Sequence, residues 1–593
     1  MKITRIRTLV FMLVTAVCAA TGCSDSTPAD NARANDPGGY AAAVNDIADR
    51  YYAWQLERLP ELAYFRGIEV DRHDGLFDNS LPALAASETI EDGLREELAA
   101  VDIDSLRGSA EWITAVLLQQ QLEADRRTRV CRQELWNISQ MGGWHSLYSQ
   151  VATLQPVATA AEREQALARW SKFAAFVDQE IDNLQRGIEQ GYSAPKAVVG
   201  RVIDQLDGLL ALATADSPYA SPAARSEDKA FSASMLAIVE DEINPALQRL
   251  RDYLAGDYMG AAREALTITA NPDGLACYEA SLFAYTTLDR SGKDVYELGR
   301  QTVAANRARV VELGQDKYLT DDFAEIIRRT KADPADSFAS KEELLEFSRA
   351  MVRRAEAEMP NWVATMPSQP VEVVPFPEHE EGTGRSAHYR VGTDDRPGEY
   401  RIPLHKPEEQ SRGNAEATAF HEAWPGHHLQ VASARAVEGK HPVTKIIWFS
   451  GPGEGWARYS EALAEEMGLY TTETGPILRR AWPATGMVVD PGIHLFGWTR
   501  EQASEYMNET GRFPASMGDE MVDRIAILPG QLTAYDSGGL EIVALRRQAE
   551  AALGDAFDIR EFHDRVLENG TIPLGALRQH IEAWIAASQP GAE

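Results

Sequence analysis

Apolar residues recur every three or four positions along most of this 593-residue chain, and that period constrains the fold more than any single motif. Leu236, Val239, Ile243, Leu247, Leu250 and Leu254 build one stripe, with Pro245 inside it predicting a kink. Leu344, Phe347, Met351 and Ala355 build another, closed by Pro360-Asn361. Similar stripes run from Ile47 to Leu59, Leu98 to Leu122, Leu167 to Leu184, Ile542 to Leu553 and Leu577 to Ala587. Apolar faces of this kind must bury against one another, so the chain reads as mainly α. No linker or fixed-period repeat divides it, and residues 39–590 are expected to form one large unit with two lobes around a cleft.

The helical period breaks once, over residues 363–403. Val371, Val373 and Phe376 stand among Glu372, Val374 and prolines, while Tyr389-Arg390-Val391 and Tyr400-Arg401-Ile402 flank a turn region from Gly392 to Gly398. That pattern predicts a small antiparallel unit. Its strand either lies along a cleft, where it pairs with extended peptide backbone, or only covers the helical core.

The ends place the chain in a compartment. Lys2, Arg5 and Arg7 precede an apolar run from Leu9 to Ala20, and Ala20-Thr21-Gly22-Cys23 follows. Residues 1–22 have the charge and length of a secretory signal. Small residues ahead of Cys23 resemble a bacterial lipobox, with Ala20 in place of the more usual leucine; the resemblance implies that Cys23 is the lipidation site, and plain secretion is the alternative. Ser24 in place of aspartate points to the outer membrane. Residues 23–38 read as a flexible tether. The formal net charge of −32 becomes more negative when three cations leave with the signal, which excludes a nucleic-acid partner. Cys131 and Cys277 then remain, and their number allows one disulfide or two buried thiols.

The chemistry is concentrated in His421-Glu422-Ala423-Trp424-Pro425-Gly426-His427-His428-Leu429-Gln430, followed by Glu454-Gly455-Trp456-Ala457-Arg458-Tyr459-Ser460-Glu461. Two imidazoles and a carboxylate, with a second carboxylate beside the first imidazole, are the inventory of a catalytic zinc site. The usual helix carries its histidines four apart. Here the fourth position is Pro425, and on a regular helix His427 and His428 lie roughly 9 and 10.5 Å beyond His421. Pro425-Gly426 removes that obstacle, because proline breaks the hydrogen-bond ladder and glycine permits a widened turn. Two adjacent histidines point in different directions, so only one is a ligand: we assign His421, His427 and Glu454 as ligands, with His428 the alternative to His427, and Glu422 as the base for water. His428 is placed beside the ligands or facing substrate, and Glu461 is expected to hydrogen-bond a ligand histidine. A capping role alone is the competing reading of Glu454.

Phe420-His421-Glu422-x-x-Pro425-Gly426-His427-His428-x-Gln430 with Glu454-Gly455-Trp456-Ala457-x-Tyr459-x-Glu461 resembles the bacterial DUF885 family. Further matching pieces include Cys131-Arg132-x-Glu134-Leu135-Trp136, Asp490-x-Gly492-Ile493-His494, Pro529-Gly530-Gln531 with Ala534-Tyr535, and Phe562-His563. The resemblance implies a zinc-dependent peptidase in which two histidines and a glutamate hold the metal. Two departures are Pro491 and Asp536-Ser537-Gly538, the second of which is expected to alter substrate choice near Tyr535. Asp490 and His494, four residues apart, suggest an acid orienting an imidazole toward a tetrahedral oxyanion, the competing reading being a helix-start aspartate and a packed histidine. Tyr535 offers a phenol for the same task, and Arg500 a guanidinium for a substrate carboxylate. The expected activity is hydrolysis of short peptides in the cell envelope. The alternatives are an amidase on a non-peptide substrate and an inactive helical lipoprotein that binds or scaffolds.

Overall fold

The apolar stripes meet in two large centres. One gathers Tyr51, Trp112, Phe420, Trp456, Leu545 and Ile581, joining the chain's early helix Pro37–Arg58 to its late helix Leu574–Ser588. The other gathers Tyr148, Trp170, Phe173, Val198, Leu247 and Tyr258. This computed structural model describes residues 37–589 apart from 379–380, 382–385, 394–395 and 512–514. The signal, Cys23 and almost all of the tether lie outside the described residues, as do Asp394 and Asp395 of the predicted turn. The tether's expected end at 38 overlaps the first turn of the helix that opens at Pro37.

The chain is mainly helical, as the period predicts. The Leu236–Leu254 stripe stays one buried face, but not through a kink at Pro245. Helix Lys229–Ile238 passes through a wide π turn, Val239–Ile243, into helix Asn244–Tyr253, where proline stands in the first turn and no amide is missed. Cys131 and Cys277 are joined as a disulfide, with their Cα atoms 4.7 Å apart.

The three strands β1 (Val371–Pro375), β2 (His388–Arg390) and β3 (Gly398–Ile402) form a sheet of order β1-β3-β2. β2 pairs antiparallel with β3, Tyr389 opposite Tyr400, as expected. β1 pairs parallel with β3, Val373 opposite the same Tyr400, so the sheet is mixed rather than purely antiparallel. Local turn chemistry dictates the hairpin but not β1, which reaches β3 by a connection too long to leave a turn signature. Val373, Tyr400 and Ile402 are buried in the same apolar centre as Phe420 and Trp424.

Seven helices position the site: α1 (Gly274–Thr286), α2 (Arg412–Glu422), α3 (His427–Ala436), α4 (Ser450–Glu466), α5 (Thr485–Phe496), α6 (Ala515–Ile527) and α7 (Ala534–Leu553). The first turns of α4 and α7 meet backbone to backbone. A Cβ on Gly538 would stand 2.0 Å from the Gly451 carbonyl oxygen, so only glycine allows the approach.

Candidate metal centre

Ser411 starts α2 by accepting the Asn414 amide at 3.2 Å, and the helix stops at Glu422. The widened turn expected at Pro425-Gly426 is a complete break. The Trp424–Pro425 peptide is cis, and a new helix, α3, opens at His427. A Cβ on Gly426 would lie 1.9 Å from the His421 carbonyl oxygen, so the reversal needs glycine. The carbonyls exposed by the break are claimed from α4: the Trp456 indole donates to Pro425 O at 2.9 Å and Gly426 O at 3.2 Å, and Ser460 Oγ donates to Pro425 O at 3.2 Å. Gln430 in return donates to Pro452 O at 3.0 Å. Motif and second helix are therefore one hydrogen-bonded block.

That block brings one ligand atom from each of His421, His427 and Glu454 within 4.8 Å of the others. Glu454 Oε2 lies 3.6 Å from His421 Nε2 and 3.4 Å from His427 Nε2. An ion with ligands about 2.0–2.2 Å away in tetrahedral geometry spaces them by roughly 3.3–3.6 Å, so the donor set and its spacing fit zinc. Glu454 is the fifth residue of α4, past the capping position at Phe449, and its oxygen faces both imidazoles, so it does not serve as a helix cap. Its carboxyl, pushed up by burial, is nevertheless held well below the ordinary range by those two neighbours.

Glu461 accepts from His421 Nδ1 at 2.9 Å, as predicted, and so directs Nε2 toward the trio. Behind it Arg458 donates to both Glu461 oxygens, at 2.8 and 3.0 Å, and its Nε lies 3.1 Å from Asp536 Oδ1. Asp536, the departure from the family's usual residue, is thus a buried counter-ion to Arg458 rather than part of a substrate surface. Sequence reading missed Arg458, although its place three residues before Glu461 on one helix face was a usable signal.

Glu422 is 8 % exposed and accepts the Tyr389 amide on Oε2 at 2.8 Å. Burial pushes its carboxyl above the ordinary range, against the pull of His421 and His427. The Tyr389 amide of β2 therefore goes to the candidate base rather than to a neighbouring strand. His428 is fully buried; Gln369 O accepts from its Nε2 at 3.0 Å, and its Nδ1 accepts from the Tyr389 hydroxyl at 3.1 Å. With both nitrogens committed, His428 neither joins the trio nor faces substrate; it fastens α3 to the sheet.

Asp490 and His494 do not form the expected pair. Asp490 accepts from the Tyr278 hydroxyl at 2.8 Å and the Gly530 amide at 3.0 Å. His494 Nδ1 accepts the Ile268 amide at 3.1 Å, and its Nε2 donates to Ile525 O at 3.0 Å. Buried backbone groups outside the helix ladders need partners, and these two side chains supply them. Burial raises the Asp490 carboxyl to about 7 and lowers His494 to about 3. Arg500 is also spent elsewhere: it pairs with Asp523 and donates to Asp519 O at 3.3 Å.

Tyr535 remains. It opens α7, and its phenol, raised by burial, is close enough to Glu454 to feel that charge. Arg524, which no sequence signal marked, donates to Tyr535 Oη at 3.4 Å and to Gln531 Oε1 at 2.6 Å.

The DUF885 family, described as bacterial protein of unknown function, matches residues 60–581, and the chain belongs to it. A crystal structure of a candidate lipoprotein from Colwellia psychrerythraea is similar at a TM-score of 0.82 and 22% identity, over 93% of this chain and 99% of that one. A candidate lipoprotein of unknown function from Shewanella oneidensis is similar at a TM-score of 0.73 and 20% identity, over 91% and 99%. These likenesses show a shared fold. No curated protein matches.

Proposed function

We propose that this DUF885 member is a zinc-dependent hydrolase of peptide bonds in short peptides of the cell envelope. One observation carries the reading: His421, His427 and Glu454 offer ligand atoms within 4.8 Å of one another, beside a buried Glu422. Packing needs none of these groups, and two imidazole nitrogens and a carboxylate oxygen converging on one point form a set of electron pairs suited to a cation.

His421, His427 and Glu454 would hold a zinc ion, which would supply a Lewis acid for the scissile carbonyl and acidify a water. Glu422 takes a proton from the attacking water and passes it to the leaving amine, a task suited to a carboxyl whose affinity for protons burial has raised. The Tyr389 amide fixes its orientation. The Tyr535 phenol donates to the oxygen that gains charge in the tetrahedral state. Glu461 and Arg458 keep the His421 ring in the tautomer that offers Nε2.

The envelope assignment rests on the signal-like start and on Cys23, and the likeness to two candidate lipoproteins is consistent with it. No described helix is long and apolar enough to cross a membrane, so in this reading a lipid on Cys23 supplies the attachment.

The test is metal analysis of protein starting after Cys23, followed by incubation with a mixed peptide library. About one zinc per chain is expected, lost in His421→Ala and His427→Ala but kept in His428→Ala. Cleavage should follow zinc content. Full zinc occupancy in His427→Ala, or a zinc-loaded protein that cuts no peptide, overturns the reading.

A further inference from the structure

We propose that Arg524 receives the free C-terminal carboxylate of a peptide substrate, so that the enzyme removes residues from the C-terminal end of short peptides. The inference rests on the peptidase reading and narrows it to an exopeptidase.

Arg524 differs from the other arginines near the centre in what it faces. Arg458 is neutralised by Glu461 and Asp536, and Arg500 by Asp523. Arg524 has two neutral partners, Gln531 Oε1 at 2.6 Å and Tyr535 Oη at 3.4 Å, and its buried Nε has none. Among the described residues no carboxylate lies within ion-pair distance of it. The chain carries 90 acidic against 58 basic residues, so a half-buried guanidinium left without a carboxylate is not explained by a shortage of acids. Arg169 and Arg263 are likewise buried with neutral partners only, and what sets Arg524 apart is its contact with Tyr535; in this inference an anion from outside completes it, since a guanidinium matches a carboxylate in a two-pronged bond.

Its position fits that role. The Tyr535 phenol that it touches is within reach of the Glu454 charge. Gln531, its other partner, donates to Ser450 Oγ at 3.5 Å, and Ser450 lies one turn before Glu454 on α4, roughly 6 Å along the axis. The charge of Arg524 also reaches Tyr285. Tyr285, with Ile527 and Leu528 one turn beyond Arg524, lines a cavity of about 440 Å³ walled also by Trp136 and Trp144. In this inference a terminal residue with its carboxylate at Arg524 turns its scissile carbonyl toward Tyr535 and its side chain toward that cavity, whose wall carries the carboxyls of Glu61 and Glu180 beside the aromatic rings.

The test uses zinc-loaded protein and a library of N-acetylated short peptides, each made as the free acid and as the C-terminal amide. Wild type should cleave acids with a kcat/KM at least about 30-fold above that for amides, the size expected when a charge pair loses one partner. Arg524→Gln should erase that preference through KM, keeping zinc content and Tm, and Arg524→Lys should restore part of it. Equal cleavage of acids and amides by wild type overturns the inference while leaving the peptidase reading intact, and this arm does not depend on any variant folding. If nothing is cleaved, the peptidase reading falls, and calorimetry with N-acetylphenylalanine and its amide decides Arg524 by itself. Tighter binding of the acid, lost in Arg524→Gln, supports a carboxylate receptor; no preference for the acid overturns it.

Discussion

Two of the places where this molecule puts a histidine and an acid on one helix, α2 and α5, differ in that only α2 is left open for chemistry. At His494 both ring nitrogens end on backbone, the Ile268 amide and the Ile525 carbonyl, while Asp490 serves Tyr278 and Gly530. At His421 one nitrogen is held by Glu461, and the other turns toward Glu454 together with a nitrogen of His427. The first is a clamp that satisfies buried backbone; the second is a set of electron pairs converging on one point. Residue type and spacing do not separate the two. Where each donor and acceptor goes does.

The largest effect that can break this comparison belongs to Glu422. Glu422→Gln keeps the Tyr389 contact and the trio but cannot accept a proton, so turnover should fall at least about 10³-fold with zinc content unchanged. Steady-state kinetics on metal-analysed protein measures it, and near-wild-type turnover would remove the base. Tyr535→Phe comes next, with a loss on the order of 10²-fold for one oxyanion donor and no change in Tm.

On the clamp side the ranking inverts. His494→Ala strands the Ile268 amide and the Ile525 carbonyl and should cost on the order of 2–3 kcal/mol in stability, with turnover per folded molecule unchanged. Denaturant unfolding paired with kinetics separates these outcomes. A selective loss of turnover in a fully stable variant would restore His494 to the reaction.

These contrasts also mark how far the sequence can be read. The helical body, the hairpin and the convergence of His421, His427 and Glu454 were legible because each rests on local period or on residue types confined to one motif. The break after Glu422 was half legible: Pro425-Gly426 announces a departure from the helix, but that α3 restarts at His427 depends on Trp456 claiming the turn carbonyls. Asp490-His494 misled because i and i+4 place two side chains on one face without making them partners. The Cys131–Cys277 bond and the parallel pairing of β1 depend on segments that are not neighbours in the chain, and no local pattern records them.

Glu461 tests the support beneath the ligands. Glu461→Gln keeps the shape but weakens the acceptor that orients His421 and leaves Arg458 with Asp536 alone. Zinc affinity should fall about 10- to 100-fold, read by competition with a chelator, while His494 environment and overall Tm change little. Unchanged affinity would mean that the trio is positioned by the backbone alone.

The smallest effect is a pair of protons, and it sets the two histidines against each other most directly. Burial alone would depress His421, but Glu454 and Glu461 outweigh it and raise the ring to about 10 in metal-free protein. Burial lowers His494 to about 3, with only the Ile525 carbonyl opposing. An unperturbed imidazole titrates near 6.5. Folded His421 therefore binds its proton more tightly than the unfolded chain does, and its contribution to stability is complete below pH 6.5 and lost as pH rises through about 10. For His494 the sign reverses: its contribution is complete above pH 6.5 and lost as pH falls toward about 3. Imidazole NMR signals of the metal-free protein should show His421 still protonated at pH 8 and His494 still neutral at pH 5. Zinc should then displace the proton from His421 and leave His494 untouched, since a ligand must give up its proton and a clamp has none to give. If both rings titrate together near 6.5, the carboxylates do not act on His421 as their distances require, and the distinction between open set and clamp is lost.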